Sequence, residues 1–465
     1  MSIDMLPDDV LLEIFDFFAE VLSLTKEEIE GWQTLVHVCR RWRSVVFGSV
    51  RRLNLRLFCS NEIPARDMDV WPPLPLSVRC HEPAETAESV YNTVAVLGEH
   101  SDRVCELDII GLKRSDLEKL LAAVQVPFPE LTYLRLWLGD IETPPVLPAS
   151  FLGGSTPRLK YLWLGGVPFP SLPKLLLSAT HLVSLSLEDI PHLGYFSPEA
   201  IVTALSTLTR LTALRLLHES PQSFPDRARQ RPPPPTRSAL PALKYFYFRG
   251  VSEYLEVIMA RIDTPRLNNL RVILFNDIVF DIPQFTQFVG RTPMLKPLEK
   301  AHVTFEDDAV IITHSSPASG KDESLGVGIL CSELHWQVSS MKQVCTTLCL
   351  RPFSTLEDLH IFEDLHWREL EDWPDNIENA LWLELLHPFT SVKNLYLSEY
   401  IAQHIVPALQ DLVGGRATEV LPTLQNIFLE ELQPSGPVQE GIQQFVSRRQ
   451  ATGHPIAIFY GQKVR

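Results

Sequence analysis

Leu131-Thr132-Tyr133-Leu134-Arg135-Leu136-Trp137 decides the architecture, because its pattern returns as Leu159-Lys160-Tyr161-Leu162-Trp163-Leu164. Other clear copies of L-x-x-L-x-L are Leu182-Leu185-Leu187, Leu211-Leu214-Leu216, Leu243-Phe246-Phe248, Leu356-Leu359-Ile361, Val392-Leu395-Leu397 and Leu424-Ile427-Leu429. Weaker copies begin at Val104, Leu267, Leu298 and near Cys331. The twelve starts recur every ~29 residues on average. Alternating apolar positions predict short strands with one face buried. Amphipathic stretches at 172–177, 198–208, 254–262 and 401–412 predict helices between them. Parallel strands need such crossovers, so the fold class is α/β with parallel strands on one face and helices or loops on the other.

The chain resembles the leucine-rich-repeat class over about 400 residues, and its period sits near the upper limit for that class. The resemblance implies an irregular solenoid with strands on its concave face. The asparagine expected three positions after the last leucine is absent, with Val167, Ile190, Val251 and Leu432 at or near that place. Two polar stretches interrupt the array. Residues 218–241 contain four consecutive prolines, Pro232 to Pro235, and read as a mobile insertion, either a plain surface loop or a polyproline recognition motif. Residues 314–324 mark a break between repeat blocks.

On the strands, positions between the leucines face away from the core. They are Tyr133, Arg135, Trp137, Tyr161, Trp163, Arg215, Tyr245, Tyr247, Arg249, His360, Phe362, Tyr396 and Phe428. Aromatics and arginines are enriched at binding hot spots, so these are the candidate target-binding residues. The alternative is cross-strand packing that stabilises a sheet and binds nothing.

Residues 1–50 have helical periodicity. Leu6-Pro7 precedes Asp8 and Asp9, and Val10, Leu11, Ile14 and Phe15 follow at helix spacing. Thr25-x-x-Glu28 matches a capping box, and Trp32, Leu35, Val38, Cys39 and Trp42 continue the pattern. Leu6-Pro7-Asp8-Asp9-Val10-Leu11-Leu12-Glu13-Ile14-Phe15 with Leu35-x-x-Val38-Cys39-Arg40-x-Trp42 resembles the F-box; the connector at residues 19–29 is longer than usual. The resemblance implies docking on the Skp adaptor of a Skp–cullin–F-box ubiquitin ligase, with Leu6, Pro7, Val10, Leu11, Ile14, Phe15, Val38, Cys39 and Trp42 as the adaptor-facing or head-core residues. Nine acids at residues 4–30 precede Arg40, Arg41, Arg43, Arg51, Arg52 and Arg56. That separation suits either a solvated face or a basic patch facing an acidic adaptor.

The organisation expected is therefore a helical head at 1–50, a proline-rich connector with the first strands at 51–103, and the repeat array at 104–465. Prolines number 37 of 465, so connections are stiff. The net charge of −16 gives no bulk drive toward nucleic acid or anionic lipid. Seven scattered cysteines without a C-x-x-C pair fit a reduced, intracellular chain, cytoplasmic or nuclear. The first residues lack the basic and apolar regions of a signal peptide, and no apolar run is long enough to span a membrane. Phosphate-loop, dinucleotide, zinc-protease and nucleophile-elbow motifs are absent, and the fourteen histidines do not fall at ligand spacing. The expectation is a non-catalytic substrate receptor without metal or cofactor, holding a target protein near the ligase. The runner-up is an interaction scaffold whose helices only cap the array.

Overall fold

The computed structural model describes residues 6–23, 31–59, 72–81, 87–139, 143–221, 237–275, 282–295, 300–315, 324–348, 356–364, 377–412, 416, 418–430 and 436–461. The capping box, the Leu298 start, Cys349, the polyproline run and most of the 314–324 stretch lie outside these residues. The chain is α/β and divides into two compact units: Met1–Phe196 with Thr203–Leu211, and Ser197–Val202 with Thr212–Arg465.

Unit 1 begins with α1 (Asp8–Ser23), α2 (Gly31–Val38) and α3 (Arg40–Gly48). Six strands follow: β1 (Leu57–Cys59), β2 (Leu76–His81), β3 (Val104–Ile110), β4 (Tyr133–Trp137), β5 (Tyr161–Gly165) and β6 (Ser184–Ile190). Each pairs in parallel with the next in sequence. Helices α4 (Ala87–Glu99), α5 (Arg114–Ala123) and α6 (Leu172–Leu176) lie on three of the crossovers. The repeat leucines stack across this sheet: Leu134 opposes Leu162, which opposes Leu185, and all three are buried. Burial of a leucine stabilises by about 1.5–3 kcal/mol, and the stack repeats that gain on each strand.

The division between the units falls within α7 (Pro198–Leu205). Unit 2 has the strand order β7 (Ala213–His218), β9 (Tyr245–Gly250), β11 (Asn269–Phe275), β14 (Ser324–Leu330), β13 (Ala309–Ser315), β12 (Lys300–Glu306), β15 (Asp358–Asp364), β16 (Asn394–Leu397), β17 (Asn426–Glu430) and β18 (Ala457–Gly461). A short pair, β8 (Ser238–Ala239) and β10 (Ile262–Asp263), forms separately. The helices are α8 (Ser252–Arg261), α9 (Pro283–Arg291), α10 (Leu334–Leu348), α11 (Asn379–Leu386), α12 (Glu399–Gln410) and α13 (Pro437–Ala451).

One departure from the simple repeat stands in unit 2. Strand β13 runs antiparallel to both β12 and β14, so the chain doubles back before resuming parallel pairing. The weak copy near Cys331 is no strand; the ladder strand there is β14, which ends at Leu330. Ala309-Val310-Ile311-Ile312 is buried on both faces. A strand covered on both sides loses the alternation that marks a half-buried one, which is why its leucine-free run escaped the repeat pattern.

Candidate functional site

The head sorts its apolar residues onto two sides. Leu11 and Phe15 are fully buried, with Trp32, Leu35, Val36 and Val46 completing the interior. Trp42 packs its ring 4.8 Å from that of Phe15. Cys39 caps α3, its Sγ accepting from the Trp42 N–H at 3.4 Å. Leu6 is half-buried and Pro7 exposed. Val10, Ile14, Phe17 and Val38 are exposed, Phe17 by 70%. Phe17 was not among the motif residues, although Val10, Ile14 and Phe17 follow helical spacing of four and three.

The acids and arginines separated in sequence meet inside this head. Arg41 pairs with Asp8 at 2.6 Å and also donates to the Leu6 carbonyl. Arg52 pairs with Glu13 and, at 3.4 Å, with Asp16. Arg43 donates to the Val36 carbonyl at 3.0 Å. Arg41 and Arg52 thus already have intramolecular partners, and such exposed, solvent-screened pairs add little to stability. The head also touches the sheet: Trp32 Nε1 donates to the Arg56 carbonyl at 3.2 Å, and the Arg56 guanidinium pairs with Glu106 on β3.

In unit 1 the five candidate residues share one face of β4 and β5. Arg135 lies with its Cζ 3.7 Å from the Trp163 ring centroid, the cation–π geometry expected of a stacked guanidinium. On its other side is Asp108, 4.0 Å away, which also meets His81 at 3.3 Å. Tyr133 and Tyr161 oppose one another with ring centroids 6.3 Å apart. Trp137 stands opposite Gly165, and a Cβ there would come within 2.2 Å of the indole, so only glycine accommodates the ring. Trp137 and Tyr161 are the exposed members of the group. Asp108 escaped the sequence reading because it occupies a weak copy of the pattern.

In unit 2 five of the eight remaining candidates, Arg215, Tyr247, His360, Tyr396 and Phe428, fall into one continuous row. Strand register places Arg215 opposite Tyr247, Tyr247 opposite Arg271, Arg271 opposite Gly326, and Gly326 opposite Thr313. The row continues through His302, His360, Tyr396, Phe428 and Phe459. Its last five rings stack at centroid spacings of 4.4, 3.9, 4.3 and 4.9 Å. This matches the ~4.8 Å separation of strands, so sheet geometry itself holds the rings in contact. Phe362 meets His302 edge-on at 6.1 Å. Tyr245 and Arg249 flank Tyr247 on β9, and Arg249 Nε donates to the His218 carbonyl at 3.1 Å. Two residues before the stacked rings, Asn426 donates to Asn394 and Asn394 to Asp358, at 2.7 and 2.6 Å.

Burial lowers His302 below the usual imidazole value, and the Lys300 charge adds to the effect. His360 is brought down to about 4, mainly by burial and then by His302. Both rings are therefore neutral near pH 7. Arg271, His302 and Phe459 were missed by the sequence reading. Arg271 occupies the slot of Arg135 in the weak copy beginning at Leu267, so equal weight on weak copies would have found it. Strand β18 lacks the leucine pattern.

No family model matches the chain, and no curated protein matches it. Among the described residues no helix is long and apolar enough to cross a membrane, and no three His, Cys, Asp or Glu side chains gather where a metal ion could be held. The two faces carry flat rings, guanidiniums and amides in fixed register.

Proposed function

We propose that this chain is the substrate-recognition subunit of a Skp–cullin–F-box ubiquitin ligase, working in the cytoplasm or nucleus. In this reading residues 1–50 are an F-box that docks on the Skp adaptor, and the strands with their crossover helices are a leucine-rich-repeat array that holds a target protein. The supporting observation is the exposed row Val10, Ile14, Phe17 with Val38 on helices whose interior Leu11, Phe15 and Trp42 already fill. Exposed apolar residues at helical spacing along α1 suit a helix-in-groove partner. The chain's contribution would be proximity: a raised effective concentration of target lysine near the ligase's charged enzyme, with no bond chemistry of its own.

The Trp32–Arg56 and Arg56–Glu106 contacts favour a second reading, in which the helices serve as a cap and the chain is a scaffold without ligase role. Co-expression with the Skp adaptor separates the two. Wild type should retain the adaptor through affinity and size-exclusion steps. Ile14→Asp with Val38→Asp, both at exposed positions, should leave the fold intact and lower retention at least tenfold. Leu6→Ala with Pro7→Ala should act in the same direction. If wild type fails to bind, or these variants bind equally well, the ligase reading fails.

A further inference from the structure

Strand β18 leaves both of its faces open. It stands last in the strand order, and among the described residues no strand pairs with its outer edge. Register puts Ile458 in the row of Ile427, Leu395 and Leu359, and Tyr460 in the row of Leu429, Leu397 and Ile361. Those rows are buried on the earlier strands, yet Tyr460 is 41% exposed where Leu429 and Leu397 are 1%. Phe459, on the opposite face, is 46% exposed although its ring centroid lies 4.9 Å from that of Phe428. An edge position does not by itself open both faces: β1, at the other end of the order, buries Leu57 and Cys59.

Ala457-Ile458-Phe459-Tyr460-Gly461 carries neither charge nor proline, two devices that keep a strand edge solitary. Ala457 donates its N–H to the Gln425 carbonyl at 2.8 Å, on the β17 side. Backbone groups alternate sides along a strand. Those of Phe459 and Gly461 therefore also turn to β17, and those of Ile458 and Tyr460 turn to the outer edge. The surroundings are short of charge as well. In a chain of net charge −16, residues 436–461 hold only Glu440, Arg448 and Arg449 as formal charges. Both arginines donate inward, Arg448 to the Gln410 carbonyl and Arg449 to those of Leu421 and Pro422. Helix α13, which precedes β18, exposes Gln443, Gln444, Ser447 and Gln450.

We propose that the outer edge of β18 docks on β18 of a second copy of this chain, the two strands running antiparallel about a twofold axis at Phe459. Such pairing sets Ile458 opposite the second copy's Tyr460, and the outward backbone groups of both exchange hydrogen bonds. Phe459 then faces Phe459 at a position without ladder hydrogen bonds, where side chains approach closest, and the ring stack continues from one copy into the other. Charge selects a second copy as the occupant. A twofold contact sets like residues against each other near its axis, which repels wherever that surface is charged, and here it is neutral. The strand pair is small beside the ~1,200–2,000 Å² of stable interfaces, so the dimer should dissociate in the micromolar range. Neither adaptor nor target enters this pairing.

Sedimentation velocity of the full chain, without adaptor, should show wild type passing from monomer to dimer between about 1 and about 100 μM. Ile458→Pro deletes an outward N–H while sparing the β17 ladder, and should weaken association at least tenfold. Phe459→Lys sets two like charges together at the axis and should do the same with circular dichroism unchanged. A self-disulfide reads the geometry. Across the axis the two Phe459 Cα atoms would lie about 4.5 Å apart, within disulfide reach, and the two Gly461 Cα atoms roughly 13 Å apart. Mild oxidation should therefore link Phe459→Cys chains through position 459, identified by mass spectrometry. Gly461→Cys chains should link no more than wild type with its seven cysteines. Wild type that stays monomeric throughout, variants that associate like wild type, or linkage at 461 in place of 459 would overturn the twofold edge.

Discussion

Acid stability of unit 2 follows from two histidines that the fold keeps uncharged. His218 closes β7 with its ring 4.8 Å from Tyr254 and its Nδ1 3.2 Å from the Arg249 carbonyl; it is buried. Burial pushes it down to about 4, the backbone hydrogen bond to Arg249 opposing and the Arg249 charge assisting. His314 on β13 is also buried and is pushed down to about 3, by burial first and the neighbouring His302 second. Their unfolded values are about 6.5. Both folded values are depressed, so the contribution to stability is whole above about pH 6.5 and is lost as pH falls toward the folded values. Near pH 5 the unfolded chain binds almost two protons that the folded unit does not. At about 1.4 kcal/mol per proton per pH unit, stability should fall by about 2–3 kcal/mol for each unit from about pH 6 to about pH 4.5. Against a usual total of about 5–15 kcal/mol, that is a large share. His360 acts in the same direction with a smaller, solvent-screened contribution. The assay is urea unfolding between about pH 7 and about pH 5, read by hydrogen exchange on peptides from residues 213–330. His218→Gln with His314→Gln should flatten the slope by about 2–3 kcal/mol per unit, and each single variant by about half that. Parallel slopes for wild type and the double variant would refute the reasoning.

Other outcomes follow from the packing. Leu162→Ala removes the middle leucine of a buried stack and should destabilise unit 1 by about 2–5 kcal/mol, measured by thermal or urea unfolding. Gly165→Val places a side chain where the Trp137 indole lies and should displace that ring, visible as a changed indole ¹H–¹⁵N NMR resonance with little loss of helix signal. Cys331, pushed up to about 12 by burial and by Asp308, should resist iodoacetamide near pH 8 in the folded protein and react on denaturation. Leu11→Asp puts a charge into the head's interior and should unfold α1–α3, whereas Ile14→Asp should leave their helical signal unchanged by circular dichroism.

Several of these residues were legible from the chain and others were not. The leucine spacing located β4, β5, β6, β7 and β9 and told the core-facing residues from those facing away, as Leu134 against Tyr133 and Arg135 illustrates. Helical spacing separated Leu11 and Phe15 from nothing by itself; only the packing of Trp42 onto Phe15 shows which side of α1 is filled. The doubled-back β13 was missed because burial on both faces erases alternation. Likewise the six arginines after the acidic stretch read as either a solvated face or a basic patch, whereas Arg41 and Arg52 find Asp8, Glu13 and Asp16 more than thirty positions away.

What this sequence determined by itself is therefore local: strands where apolar residues alternate, helices where they recur every three or four, and parallel pairing where a crossover separates two strands. Those features depend on side-chain direction along a few consecutive residues. The tertiary structure decided which side chains meet. Register alone brings Arg215, Tyr247 and Arg271 together, and register alone aligns His302, His360, Tyr396, Phe428 and Phe459 into one stack. A slip of one residue on any strand would turn its ring toward the opposite face, and what prevents the slip is the burial of the leucines on that other face.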